Sequence, residues 1–404
     1  MQVLKILSIQ CYRKIFRGDV IKSLFKAVVV LTGFSVLTRI LGFLFKIFLS
    51  RTLTTEMLGI YSIVVSVFMV FVTMLNSGMQ LSVSKNTTLN FNKDNKKCYG
   101  GITSGLIISL SICLLIFIII LLFRPFFINY FGNEIGYNLL LTMLPAIIFT
   151  GVYAPFKGYL WGRESFFKVS IVEFLEQLIR IGSFFVLIAI NSNLNQLYPA
   201  GISVSIGCII STIVGIILFV FTGGRLKSPK YAFKPIFNSA MPLTLVRIAT
   251  SLMQPFIALI LPLQLVAAGF TNSQALSQIG IAMGMTMPLL SIPSTIIGSL
   301  AMAIIPKLTS LNDEINKHKL IKQITSAINF TFICGFIVLP CFIALGEPLC
   351  LFLFDNITAG TYLKYACWLI IPMGISQITT SVLNSLNLEV KTFIYYIISS
   401  VVLV

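Results

Sequence analysis

The sequence predicts an all-α polytopic membrane protein, and three observations predict it. Of its 404 residues, 57% are hydrophobic and only 10% charged, with a mean hydropathy of +0.97; soluble domains carry about 25% charged residues. Apolar runs long enough, as helices, to cross a hydrocarbon core of ~30 Å recur along the chain with short polar breaks between them. Most of the 29 Lys and Arg residues gather in alternate breaks, whereas the breaks on the opposite side hold only Arg51, Arg124 and Lys364. That asymmetry is the positive-inside pattern, which sets the N-terminus in the cytoplasm of a multi-pass cell (plasma) membrane protein. Topology thereby explains most of the formal charge of +17, and no nucleic-acid partner is expected.

Residues 1–25 hold Lys5, Arg13, Lys14, Arg17 and Lys22 among short apolar patches, without the apolar core of a signal peptide, and read as a cytoplasmic basic tail. Spans are expected at about 26–50, 57–84, 100–123, 137–160, 166–190, 198–221, 236–262, 277–305, 323–346 and 362–385, with an eleventh beginning near Thr392. From there to Val404 too few residues remain to cross a bilayer, so the chain is expected to be C-terminally truncated. The segments Phe34 to Ile40, FSVLTRI, and Pro242 to Ile248, PLTLVRI, place an arginine at the same point of the first and seventh spans. Six spans apart, they suggest two six-helix lobes related by a pseudo-two-fold along the membrane normal. The N-lobe is then 26–221, the interlobe loop 222–235 and the incomplete C-lobe 236–404.

The first span carries the main functional clue, because Arg39 and Lys46 lie where lipid rejects charge. An ionised side chain at the bilayer centre costs roughly 2.5–3.5 kcal/mol even on insertion scales, so such groups normally face a bundle interior or a watery cavity. Ser35, Arg39, Gly42 and Lys46 follow the spacing that lines up one helix face. Span seven repeats the logic with Thr244, Arg247, Ser251 and Gln254. Its Pro255 and Pro262, like Pro288 and Pro293 of span eight, each remove a helix hydrogen bond, which reads either as functional kinking or as packing irregularity.

Span five places Glu173, Glu176, Gln177 and Arg180 on one face, with Glu176 and Arg180 at ion-pair spacing. Glu173 is left to meet a cation on another helix or to hold a coupling proton or sodium ion. Span two offers Ser62, Ser66, Thr73, Asn76, Ser77 and Gln80, equally readable as packing contacts or as cavity lining. The intramembrane cations Arg39, Lys46, Arg180 and Arg247 outnumber the carboxylates Glu173 and Glu176, so a central cavity with this bias attracts an anion. Arginine's planar fork of donors fits phosphate oxygens, and Arg39 facing Arg247 across a two-lobed cavity suits a phosphate or pyrophosphate headgroup.

No enzyme constellation emerges. The eight cysteines show no CxxC pair and lie mostly inside apolar runs, as packing residues rather than metal ligands or a disulfide framework. The single histidine, His318, sits in a Lys-rich loop near Asp313 and Glu314, as in a solvated turn. No cofactor and no metal are implied.

The stretches LTRILGFLFKIFLSRTLTTEMLGIYSIV, NSGMQLSVSK, EFLEQLIRIG and the long run from MPLTLVRIATSL to AMAIIPKL resemble the sporulation members of the polysaccharide-transport branch of the multidrug/oligosaccharidyl-lipid/polysaccharide flippase superfamily. The resemblance runs from about Phe25 to the chain end. It implies a two-lobed, MATE-like bundle of twelve to fourteen helices with alternating access to a cavity between the lobes. The implied cargo is a lipid-linked anionic glycan, such as an undecaprenyl-pyrophosphate oligosaccharide or a peptidoglycan precursor for the spore cortex. Arg39 matches a cavity arginine of the first helix in similar flippases, Arg247 matches by the repeat, and Lys46 and Arg51 follow less closely. The chain departs from the pattern in having no acidic residue next to Arg39 and in ending before the family's last helices. Two rival readings stand beside this one: a cation-coupled multidrug exporter of the same superfamily, which needs a carboxylate at its cation site, and a non-transporting membrane scaffold for cell-wall synthesis enzymes. Membrane lipids are expected partners, and a monomer is the expected state.

Overall fold

The computed structural model describes residues 18–385 except 92, 191–195, 296 and 298–316, together with positions 392, 394, 395, 398 and 399. Residues 1–17 of the basic tail, the loop with Asp313 and Glu314, and most of the run beginning at Thr392 lie outside the described residues. Those that are described form helices joined by short turns. Helix α1 spans Gly18–Thr52, α2 Thr55–Asn90, α3 Asn95–Leu122, α4 Arg124–Phe131, α5 Glu134–Thr142, α6 Leu144–Gly162, α7 Phe166–Ile190 and α8 Leu197–Phe221. The second half holds α9 Phe233–Ser251, α10 Met253–Ala267, α11 Asn272–Ile279, α12 Lys317–Phe354, α13 Ile357–Ala366 and α14 Ile370–Ser385. Nine stretches among the described residues are long and apolar enough to span a membrane; α7, with Lys168, Glu173, Glu176 and Arg180 along its 25 residues, is a tenth helix of spanning length.

Local chemistry explains where the spans break. The first helix begins at Gly18, eight residues before the expected span, because a helix continues past the membrane whereas the apolar pattern does not. The fourth span divides at Met143, ahead of Pro145 in the first turn of α6. Pro125 at the start of α4 and Gly132 after it, at φ +74° in the left-handed region, make a short helix of what reads as a loop. Pro255, which cannot donate to the Ser251 carbonyl, follows the break at Leu252 between α9 and α10. In span eight a π-helical stretch, Gly280–Thr286, precedes Pro288, the kind of irregularity that bends a helix. Asp94 caps α3 by accepting from the backbone N–H groups of Lys96 and Lys97, and those bonds, Lys97's foremost, hold its carboxyl below the usual carboxylate range.

Helix α2 is the spine. Within the N-terminal half it packs most extensively on α6, whose Gly158 and Gly162 lack the Cβ that would lie 2.6 Å from the Gln80 and Ser84 carbonyl oxygens. Against the C-terminal half it makes two further close approaches. A Cβ on Gly59 would collide with the Leu276 carbonyl, one on Gly280 with the Thr55 carbonyl, and one on Gly78 with Ala240 and Thr244 of α9. Small residues let membrane helices approach this closely, so that dispersion between the apposed backbones replaces the missing hydrophobic drive. Around the first approach, one apolar cluster joins α2 to α11 and α13 through Leu58, Ile60, Leu276, Ile279 and Leu363. Around the second, another joins Met79 and Val83 to Ile236 and Ala240.

At the end of the bundle that carries turn 52–54, polar contacts tie the halves together. Thr55 and Ser277 share a 2.7 Å hydrogen bond and Ser273 donates to Glu56 at 2.6 Å. Arg51 donates to the Leu353 carbonyl at 2.8 Å and to that of Phe352, a cation seated on the negative end of α12. At the other, basic end, the 222–232 linker is stapled to the first half. Tyr99 donates to the Gly223 carbonyl at 3.1 Å, Arg163 to that of Thr222 at 2.8 Å and Ser104 to that of Pro229 at 3.3 Å.

Gly59→Val should separate α2 from α11 and lower the melting temperature of the purified protein by several degrees, the effect of ~1–3 kcal/mol of overpacking. Gly182→Ala, where a Cβ meets nothing within 4 Å, should leave it unchanged or raise it. Equal melting of the two variants would show that the close approach is not tight.

Candidate functional site: a polar cavity between the halves

Thr73, Asn76, Ser77, Gln80 and Ser84 fall at i, i+3, i+4, i+7 and i+11 of α2, one continuous helix face. Together with Val72, Leu81, Trp161, Leu243 and Arg247 they line a cavity of about 420 Å³, within the range of small-molecule pockets. Of the polar residues of span two, Thr73, Asn76, Ser77 and Gln80 thus line the cavity, whereas Ser62 and Ser66 lie outside it and donate to the Leu58 and Ile63 carbonyls. The hydrogen bonding of the lining residues is incomplete. The Thr73 hydroxyl donates to the Met69 carbonyl at 2.7 Å and that of Ser77 to the Thr73 carbonyl at 2.8 Å, which leaves oxygen lone pairs free to accept. The Asn76 Oδ1 atom is buried without a partner among the described residues, a state that costs about 1–3 kcal/mol. Arg247 is exposed, and its guanidinium has no carboxylate partner among the described residues.

Contacts between helices order the cavity along the bundle axis. Gly78 of α2 lies against Ala240 and Thr244 of the antiparallel α9, so Arg247, nearly a turn further along α9, lies level with the Thr73 end. Gly162 lies against Ser84, so Trp161 stands at the basic end. Thr73 and Ser84 are separated by ~16 Å at 1.5 Å of rise per residue. Contacts at Gly59, Thr55 and Arg51 close the opposite end of the bundle.

Of the seven binding residues expected from sequence, Arg247 lines this cavity. Thr244 is buried in the seam with Gly78, Ser251 donates to the Ile248 carbonyl at 3.0 Å, and Gln254, Ser35 and Lys46 are exposed outside the lining. Arg39 is not in the lining either; its Nη1 donates to the Thr295 hydroxyl at 3.1 Å, joining α1 to the end of span eight. The expected pair of arginines facing each other across one chamber is thus not found in this cavity. The two cations serve different places: Arg39 a junction between the halves, Arg247 the chamber.

In span five both carboxylates meet cations, the first of the two readings left open for Glu173. Glu176 accepts from Arg180 at 2.8 Å, with 22% and 17% of the side chains exposed, as the spacing predicts. Glu173 meets Lys157 of α6 at 2.7 Å. Lys157, inside the span expected at 137–160 but left out of the intramembrane cations named from sequence, lies within α6 and joins them as a fifth. Since both carboxylates are matched, Arg39, Lys46 and Arg247 are left without a carboxylate partner among the described residues.

The family model described as polysaccharide biosynthesis protein matches residues 24–312. The chain belongs to this polysaccharide biosynthesis family. Among its relatives, stage V sporulation protein B of Bacillus subtilis (strain 168) is 21% identical over 383 residues, 90% of this chain and 73% of that protein. Among solved structures, the inward-facing conformation of a multidrug resistance MATE family transporter of the MOP superfamily superposes with TM-score 0.67, at 16% identity, over 93% of this chain and 88% of that one. The outward-facing conformation of such a transporter gives 0.63, at 16% identity, over 93% and 86%. This member of the polysaccharide biosynthesis family is thus a multi-pass membrane protein with the two-lobed MATE fold.

Lys157→Met should destabilise the protein by removing the partner of Glu173, and Lys157→Met/Glu173→Gln should recover part of the loss. With Glu173 43% exposed, solvent screening limits the coupling to about 1 kcal/mol. A thermal double-mutant cycle with no coupling would mean that the pair is not formed in the membrane.

Proposed function

We propose that this protein is a flippase that carries an undecaprenyl-pyrophosphate-linked oligosaccharide or peptidoglycan precursor from the inner to the outer leaflet of the plasma membrane, in the setting of spore cortex synthesis. The observation that carries the reading is Arg247, an arginine with no carboxylate partner among the described residues, in a chamber whose other polar groups are neutral. A guanidinium with no carboxylate beside it favours an anion, and its fork of donors is complementary to phosphate oxygens. The family match and the sporulation relative point to the same class of cargo. Arg247 holds the pyrophosphate, while Arg39 and Lys46 of α1 guide it between membrane and chamber. Transport is alternating access: the contacts at Arg51, Thr55 and Gly59 close one end, and cargo shifts the population between inward- and outward-open states through its different affinity for each. The N-terminus is cytoplasmic, so the basic end faces the cytoplasm, and the protein acts as a monomer.

The rival reading, a cation-coupled drug exporter, draws support from the MATE fold. Against it, Glu173 and Glu176 are each bound to a basic side chain and the cavity cation repels a cationic drug.

In proteoliposomes, Arg247→Ala should slow translocation of the lipid-linked glycan by at least tenfold, about 1.4 kcal/mol, with Arg247→Lys intermediate. Undiminished flipping by well-folded Arg247→Ala protein would refute the role of the arginine. Drug efflux abolished by Glu173→Gln would establish the exporter instead.

A further inference from the structure

We infer that the α2 face Thr73–Ser84, together with Trp161, is a sugar-reading wall, so that the cavity recognises its cargo at two separate points: phosphate at Arg247 and the first sugar toward the basic end. The inference rests on the flippase reading and names what the same chamber selects.

Three features carry it. First, the wall's chemistry is that of carbohydrate recognition. Asn76 and Gln80 each offer both amide donors and a carbonyl acceptor, and the self-bonded hydroxyls of Thr73 and Ser77 offer lone pairs. A sugar ring presents hydroxyls that both donate and accept, and no charge. Second, Asn76 lines the chamber while its Oδ1 is buried without a partner among the described residues; a turn of the amide toward the chamber lets a sugar hydroxyl supply the donor it lacks. Third, Trp161 lines the cavity, is 37% exposed and packs edge-to-face with Phe166, ring centroids 5.8 Å apart. An indole so placed offers an apolar surface for the C–H face of a sugar. A cationic drug would need a carboxylate here, and the described residues of the lining include none.

The order of the groups sets the pose. Arg247 lies level with Thr73 and Trp161 with Ser84, about 16 Å apart along the axis, so the pyrophosphate sits deep and the glycan extends past Gln80 toward Trp161. The chamber of about 420 Å³ suits a headgroup and leaves the prenyl chain to the membrane.

The test uses the full chain in lipid nanodiscs. Of the two tryptophans, Trp368→Phe leaves Trp161 as the sole emitter. The probes are undecaprenyl pyrophosphate and the same lipid bearing one N-acetylhexosamine. The sugar-bearing lipid should shift Trp161 emission and bind about fivefold more tightly than the bare one, the effect of a net hydrogen bond or two. Gln80→Leu and Asn76→Ala should each reduce that preference below about twofold while leaving the affinity for bare lipid within about twofold, which also shows that the variants are folded. Equal binding of the two lipids by the parent protein, or an equal loss for both in Gln80→Leu, overturns the sugar wall while the phosphate reading stands. Binding of neither lipid overturns both.

Discussion

Backbone proximity at three glycines of α2 and its partners is the constraint on which the rest of the architecture depends. Gly59 and Gly280 bring α2 against span eight at one end of the bundle, and Gly78 brings it against α9 nearer the other. In lipid, such contact has no hydrophobic drive behind it, so the fit of the surfaces and the few interhelical hydrogen bonds must hold the halves together. Because α2 is also the main neighbour of α6, it belongs mechanically to both halves. The polar face from Thr73 to Ser84 then has nowhere to go but the space between them.

Charge pairing decides what that space can hold. Ionised groups at membrane depth are tolerated when matched, and Glu173 with Lys157 and Glu176 with Arg180 meet that condition inside the N-terminal half. Arg39 reaches Thr295 and Arg51 reaches the carbonyls that end α12, two junctions between the halves. Only once these assignments are made does Arg247 stand out as a cation facing an otherwise neutral polar chamber. The same pairing gives each of these carboxylates a cation of the first half as its neighbour.

Much of this was legible in the sequence because bilayer thickness imposes a length on every apolar run. The spans, the cations of spans one and seven, and the Glu176–Arg180 pair follow from spacing along single helices. What spacing cannot supply is contact between helices. Lys157 falls near the end of the expected span 137–160, and nothing in its neighbourhood reveals that α6 turns it toward Glu173. Thr295 lies 256 residues from Arg39, so the pseudo-symmetry that aligns Arg39 with Arg247 gives no hint that one bonds across a junction and the other lines a chamber. The polar residues of span two were visible as a set, but whether they pack or face a cavity depends on where α9 lies. Proline marked the break at Leu252, while the short α4 needed Pro125 and Gly132 to be read as helix start and stop.

The most direct measurement is a structure of the protein in nanodiscs with undecaprenyl pyrophosphate bound. Headgroup density between α2 and α9, with phosphate oxygens within hydrogen-bonding distance of the Arg247 guanidinium, is the expected result. Density at the α1 junction beside Arg39, with the chamber lined by Thr73, Asn76 and Gln80 left to water, would contradict the central claim.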